Sequence, residues 1–201
     1  MDSTISEKAT RTPLRSTVID GLKIVVVGGF GVGKTTLVRS VSEIRPLNTE
    51  ETMTQAGLGI DHSDTAGKTT TTVAFDFGRI SLNEQMVLYL FGAPGQERFW
   101  FLWDRLFAGT LGAVVLVDTH RVEDSWYSID RLEHHGTPFI VARNNFPGSV
   151  HDLTELREAL TLSENVPLID CDARERESSK QVLLTLVNHL YALSSARETT
   201  S

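Results

Sequence analysis

Cysteine is almost missing from this sequence: Cys171 is the single one in 201 residues. One thiol excludes an internal disulfide and fits a reducing compartment. Long apolar runs are missing too, and nothing approaches the roughly 20 consecutive apolar residues that cross a bilayer. Residues 1–20 carry Ser, Thr and scattered charges without an apolar stretch, so no signal peptide is expected. The Met-Asp start and the Glu-Thr-Thr-Ser end lack the marks of myristoylation and prenylation, so no intrinsic membrane anchor is expected. Basic excess is the third absence. Lys plus Arg number 19 against 26 Asp plus Glu, a net charge of −7, which argues against nucleic acid or an anionic membrane as a default partner. What remains is ordinary: 40% hydrophobic and 22% charged residues are the composition of a globular domain long enough to bury a core. The expected location is cytoplasmic, with any membrane recruitment left to partners.

Residues 1–20 and 194–201 are polar and without periodicity, and are expected to be a disordered segment and a flexible tail around one domain at 21–193. Residues 22–27 are a β-branched run closing on glycines, which reads as a buried strand. A helix follows at 35–43, stopped before Pro46. Residues 46–71 are polar and rich in Thr, Gly and Asp, a long structureless stretch of the functional kind. Segments 72–79 and 82–91 form an antiparallel pair with a turn near 80–83. Helices are expected at about 97–108, 123–134, 152–161 and 177–193, and strands at 111–117, 138–142 and 166–169. This alternation predicts an α/β domain: a mostly parallel, six-stranded sheet with one antiparallel edge strand and helices on both faces.

The run Gly28-Gly29-Phe30-Gly31-Val32-Gly33-Lys34-Thr35 satisfies G-x-x-x-x-G-K-[ST]. Glycines let successive backbone N–H groups turn inward around phosphate oxygens, with a helix N-terminus behind them. Lys34 is placed to reach β- and γ-phosphates, the Thr35 hydroxyl to ligate Mg²⁺, and Thr36 completes the nucleotide-binding run. A chance glycine-rich turn is the alternative. The position directly after a strand and at the head of a helix argues against it.

Further residues carry a resemblance. Thr72-Val73-Ala74-Phe75-Asp76-Phe77 resembles the segment entering the second strand of Rab GTPases, and Gly95-Gln96-Glu97-Arg98-Phe99 resembles switch II. Gly112–Asp118 with Asp124-Ser125-Trp126 resembles the fourth strand and following helix of the same group. The order and spacing cover about 22–193 and are similar to Ras-like small GTPases. The run Gly92-Ala93-Pro94-Gly95-Gln96 points to the bacterial MglA-like group, including the actinobacterial conservon GTPases encoded beside roadblock-domain proteins. The resemblance implies a GTP/GDP switch with Mg²⁺ as cofactor and a protein regulator, of roadblock type, as partner. It implies that Thr72 holds Mg²⁺ and senses the γ-phosphate, that Gly95 offers its N–H to that phosphate, and that Gln96 orients the attacking water, with Lys34 beside it as a catalytic residue.

Three departures from that pattern stand out. The D-x-x-G motif has Gly92 where its aspartate belongs, so metal support is expected to be weaker or to come from another group. Asp64-Thr65-Ala66-Gly67 spells the motif, but no apolar strand precedes it and no Gln-Glu follows, so it reads as polar loop. The guanine-reading N-K-x-D motif appears as Asn144-Asn145-Phe146-Pro147, keeping the asparagine and losing the lysine and the aspartate. The paired hydrogen bonds that reject adenine normally come from that aspartate. Asp172-Ala173-Arg174 resembles the Ser-Ala-Lys loop, where the Ala173 N–H is placed to meet the guanine oxygen and Asp172 or Arg174 to compensate. No arginine finger is evident; Arg98, Arg79 and Arg105 are the arginines within reach of consideration.

An aromatic cluster fills 99–107. Phe99, Trp103, Leu106 and Phe107 share a helical face toward the sheet, leaving Trp100 and Phe101 for core or partner. His134 and His135 diverge on a helix and read as structural. The function expected is a slowly hydrolysing GTP switch, with a nucleotide-binding scaffold of little hydrolysis as the alternative and an ATP-dependent kinase as a third reading.

Overall fold

The structure, a computed structural model, describes residues 20–45, 47–54, 70–148 and 151–198. In strand β1, Asp20–Val27, alternation sends Ile24 and Val26 to one side of the sheet and Val25 and Val27 to the other, and all four are buried. Strands β5, Gly112–Val117, and β6, Phe139–Asn144, behave alike: Val114, Leu116 and Ile140 join the first core, Val115, Val117 and Val141 the second. A strand apolar on both faces has to be covered on both. Helices α1, Lys34–Val41, and α5, Arg176–Glu198, cover one face through Leu37, Val38, Val182 and Leu186. Helices α2, Trp103–Phe107, α3, Trp126–His134, and α4, Leu153–Ala159, cover the other through Trp103, Leu132 and Leu156. Each such side chain contributes about 1.5–3 kcal/mol on full burial, so the two cores, more than helix propensity, hold the layers together.

Strands β4, Met86–Gly92, and β7, Leu168–Cys171, complete the parallel part of the sheet; β3, Thr70–Ser81, runs antiparallel to β4. Strand β2, Leu47–Thr54, pairs antiparallel with β3, and the order is β2-β3-β4-β1-β5-β6-β7. The doubly wound α/β architecture expected from the sequence is present. The sheet is wider by one strand, because β2 forms within the stretch at 46–71 expected to lack structure. Its residues, Leu-Asn-Thr-Glu-Glu-Thr-Met-Thr, show no apolar alternation; what draws them into the sheet is the otherwise unpaired edge of β3. The antiparallel strand β3 is therefore internal, and β2 is the edge.

The β3–β4 turn lies at 82–85, past the expected 80–83. Asn83 Oδ1 accepts from the backbone N–H of Gln85 and of Met86, both at 2.8 Å, and so closes it. The expected helix at 97–108 is a 3-10 stretch, Glu97–Leu102, followed by α2. Helix α5 runs to Glu198, beyond the expected end at 193. Of the segment expected to be disordered at 1–20, Asp20 begins β1 and the rest, like the Asp64–Gly67 tetrapeptide, lies outside the described residues. Among the described residues no helix is long and apolar enough to cross a membrane. β1 sits between β4 and β5, so the loop leaving its C-terminal end opens at the crevice where α/β sheets bind ligands.

Candidate functional site

The chain leaves β1 at Val27 and turns through residues 28–33 into α1. Gly33 takes φ +103° as the helix N-cap, and a Cβ there would lie 2.6 Å from Asn144 Nδ2, so only glycine fits. Lys34, the first residue of α1, is 8% exposed. Its ammonium donates to the carbonyl oxygens of Gly28 at 2.9 Å and Gly29 at 2.6 Å, inside the loop. Burial lowers its pKa to about 8, against the upward pull of Asp76 and Asp124. A cation held this way is poised for an anion.

Beside it opens a cavity of about 490 Å³ lined by Lys34, Thr35, Thr36, Asp76, Gly95 and Gln96, among others. Thr35 Oγ1 donates to Asp76 Oδ2 at 2.5 Å. Asp76 comes from β3, and the antiparallel register sets it opposite Gly92 of β4. A Cβ built on Gly92 would lie 3.0 Å from Asp76 Cβ and 3.1 Å from Asp76 Oδ2. The carboxylate of position 76 thus lies against the place a side chain at 92 would fill. Sequence reasoning quoted Asp76 in a motif and gave it no role.

Gly95 closes over the loop. A Cβ on it would lie 2.6 Å from Lys34 Nζ and 2.8 Å from Gly29 O, so the backbone approach demands glycine. Gln96 follows at the same cavity, and its Oε1 is buried without a hydrogen-bond partner. A buried acceptor in that condition calls for a donor from a ligand or water. Behind the loop, Arg121 Nη2 donates to Phe30 O at 3.0 Å, with its guanidinium 3.4 Å from Asp124. No sequence signal marked this arginine. Phe30 itself is 63% exposed.

On the far side, Asn144 at the end of β6 is buried, and both ends of its amide are engaged. Nδ2 donates to Val32 O at 2.9 Å, and Oδ1 accepts from Ala173 N at 3.0 Å. The Ala173 N–H expected to meet a base oxygen is therefore donated to Asn144, and Asn144 acts as a brace between the phosphate loop and the loop after β7. Asp172 and Arg174 pair with each other, Arg174 Nε to Oδ1 at 2.8 Å and Nη2 to Oδ2 at 2.7 Å. That pairing holds the Asp172 carboxyl below its usual range. Beside them Cys171 is 1% exposed, and burial pushes its thiol up to about 11.

Thr72 lies in β3 opposite Thr52; its side chain, like those of Arg98 and Phe101, lies outside the described residues. Arg79 is buried and takes its backbone partners at the C-terminal end of α1, from Ser42 and Glu43. An eight-residue helix is about 12 Å long, which sets Arg79 at the other end of α1 from the phosphate loop. Arg105 is exposed on α2. Trp100, which helical spacing left off the packed face, stacks on Tyr127 with ring centroids 3.4 Å apart and joins the second core. Trp103 is 1% exposed and donates from Nε1 to Pro94 O at 3.3 Å. His135 lies 3.3 Å from Arg131 Nη2, and among the described residues no group of three or more His, Cys, Asp or Glu is placed to hold a metal.

Residues 26–193 match the family described as "Conserved hypothetical ATP binding protein". An uncharacterized protein of Methanocaldococcus jannaschii is 29% identical over 102 residues, which are 51% of this chain and 54% of that protein. The chain thus spans about half the length of the curated relative it matches. Among solved structures, the FeoB G-domain from Methanococcus jannaschii aligns with a TM-score of 0.56 and 14% identity, over 86% of this chain and 99% of that one. At that identity the likeness speaks for the fold alone, a G-domain type of P-loop fold.

Proposed function

This chain belongs to the family of conserved hypothetical ATP-binding proteins, and we propose that it is a guanine-nucleotide switch that hydrolyses GTP slowly. The observation that carries this reading is the closure of Gly95 over Lys34, with the Gln96 acceptor buried and unpartnered at the same cavity. Lys34 would bind the β- and γ-phosphates, the Gly95 N–H the γ-phosphate, and Gln96 Oε1 would orient water for in-line attack. Thr35, with its hydroxyl on the cavity, and Thr72 are the proposed Mg²⁺ ligands. The metal, when bound, would neutralise charge on the phosphate oxygens. Loss of the γ-phosphate would release the segments at 46–72 and 92–101 and change what a protein partner meets.

The family's description names ATP, whereas the switch segments resemble GTPases, of the MglA-like group in particular. The base is therefore the first thing to test. Calorimetric titration with GDP, GTP, ADP and ATP, with and without Mg²⁺, is expected to favour the guanine nucleotides; equal or adenine-favouring binding would sink the guanine assignment and leave the phosphate loop intact. A regulator of roadblock type and a cytoplasmic setting are proposed on the same resemblance.

A scaffold that binds nucleotide and hydrolyses little is the second reading, favoured by Gly92 and by the altered base motif. Single-turnover hydrolysis separates the two. Gln96→Leu is expected to slow a working GTPase by about a hundredfold with little change in affinity, whereas a scaffold would show no difference.

A further inference from the structure

The aspartate that P-loop proteins use to support their metal stands, by motif, at the end of the strand before switch II. In this chain that position is Gly92, at the end of β4. The neighbouring strand supplies a carboxylate instead. Asp76 faces Gly92 across the β3–β4 ladder, its Oδ2 lies 3.1 Å from where a Gly92 Cβ would be, and it accepts the Thr35 hydroxyl proton at 2.5 Å. We infer that Asp76 is the metal-supporting carboxylate of this site, transferred from β4 to β3, and that it binds a divalent cation together with Thr35 and the nucleotide phosphates. This rests on the proposed nucleotide binding.

Three features carry it. A hydroxyl that gives its proton to a carboxylate keeps its oxygen lone pairs for a cation, so the Thr35–Asp76 pair presents hard oxygen donors of the kind Mg²⁺ takes. Both residues line the cavity that holds Lys34, so cation and phosphate would share one space. The two backbones also leave little room for side chains at both positions, since a Cβ on Gly92 would stand 3.0 Å from Asp76 Cβ and the aspartate would have to give way by a few tenths of an ångström. Glycine at 92 is the complement of aspartate at 76, which accounts for the broken motif without loss of the charge.

The test compares wild type, Asp76→Asn and the reciprocal exchange Asp76→Gly/Gly92→Asp in the full chain. The probes are fluorescent GDP and ADP, in EDTA and over an Mg²⁺ titration, with Mn²⁺ paramagnetic resonance reporting the metal directly. If neither nucleotide binds wild type, the nucleotide reading fails before this one is reached. With binding established, Asp76→Asn is expected to weaken Mg²⁺ and Mn²⁺ affinity of the complex by about 10- to 100-fold. Its nucleotide affinity in EDTA should stay within about twofold. The reciprocal exchange should recover most of the metal affinity, because the carboxylate returns to the same place from the other strand, and it keeps the test open should Asp76→Asn fold poorly. Unchanged metal affinity in Asp76→Asn overturns the assignment. So does an equal loss in EDTA and in Mg²⁺, which would make Asp76 a purely structural partner of Thr35.

Discussion

Lys34 is where the energetics of single residues are sharpest. Folding lowers it from an ordinary 10.5 to about 8 through burial. Between those values the unfolded chain holds a proton that the folded one has released, so this residue disfavours folding fully below pH 8 and ceases to do so as pH rises through 10.5. A bound phosphate reverses the imbalance by restoring a countercharge, which pulls the pKa back up. Calorimetry at pH 8.5 in buffers of different ionisation enthalpy should therefore show proton uptake on nucleotide binding, and at pH 6.5 almost none from this group. Asn144 offers a second test at this scale. Asn144→Ala leaves Val32 O and Ala173 N–H unpaired in a buried place, and the urea midpoint should fall by an amount equivalent to about 2–5 kcal/mol. Residue identities at the phosphate loop were legible, because every one of them sits in a contiguous run. Asp76 was not. Its place beside Thr35 depends on the β3–β4 register, which pairs Ser81 with Val87 and so sets position 76 opposite Gly92, and the expected turn at 80–83 does not give that register.

Among the elements, the strands that face two cores were readable because a continuous apolar run needs no register to be recognised. Strand β2 was unreadable for the opposite reason: its stabilisation comes from backbone pairing with β3, which polar side chains do not advertise. The 3-10 stretch before α2 also escaped, since 3.6-residue spacing left Trp100 off the packed face, for core or partner, and a tighter turn carries it onto Tyr127. Helix α5 gives a clean prediction from burial. Leu186 is fully buried in the first core and Leu184, two positions earlier, is 52% exposed. Leu186→Ala should destabilise by about 2–5 kcal/mol, and Leu184→Ala by well under 1 kcal/mol, both read from chemical denaturation at constant slope.

For the molecule as a whole, composition and strand–helix alternation were sufficient to predict a doubly wound domain, and the comparison with the FeoB G-domain agrees in fold. Which base it takes was not legible, because the residue that would decide it is replaced by Pro147. A ligand that binds only the folded state stabilises it by mass action, about 4 kcal/mol at a thousand times Kd. For a chain of this length that is an upward shift in Tm of about 8–16 °C. Saturating GDP with Mg²⁺ should produce it and ADP should fall short; the reverse ranking would follow the family's description and not the switch resemblance.

The lone thiol at the end of β7 has a practical side. A thiol that is 1% exposed, with a pKa near 11, offers almost no thiolate to an alkylating reagent at neutral pH. It becomes reactive when that end of the sheet opens, so its labelling rate is a stopwatch for local opening. Because Asn144 and Ala173 tie the same end to the phosphate loop, the stopwatch should slow when nucleotide is added. Cys171 can thus report occupancy from the neighbouring strand without a dye, a tag or an engineered residue.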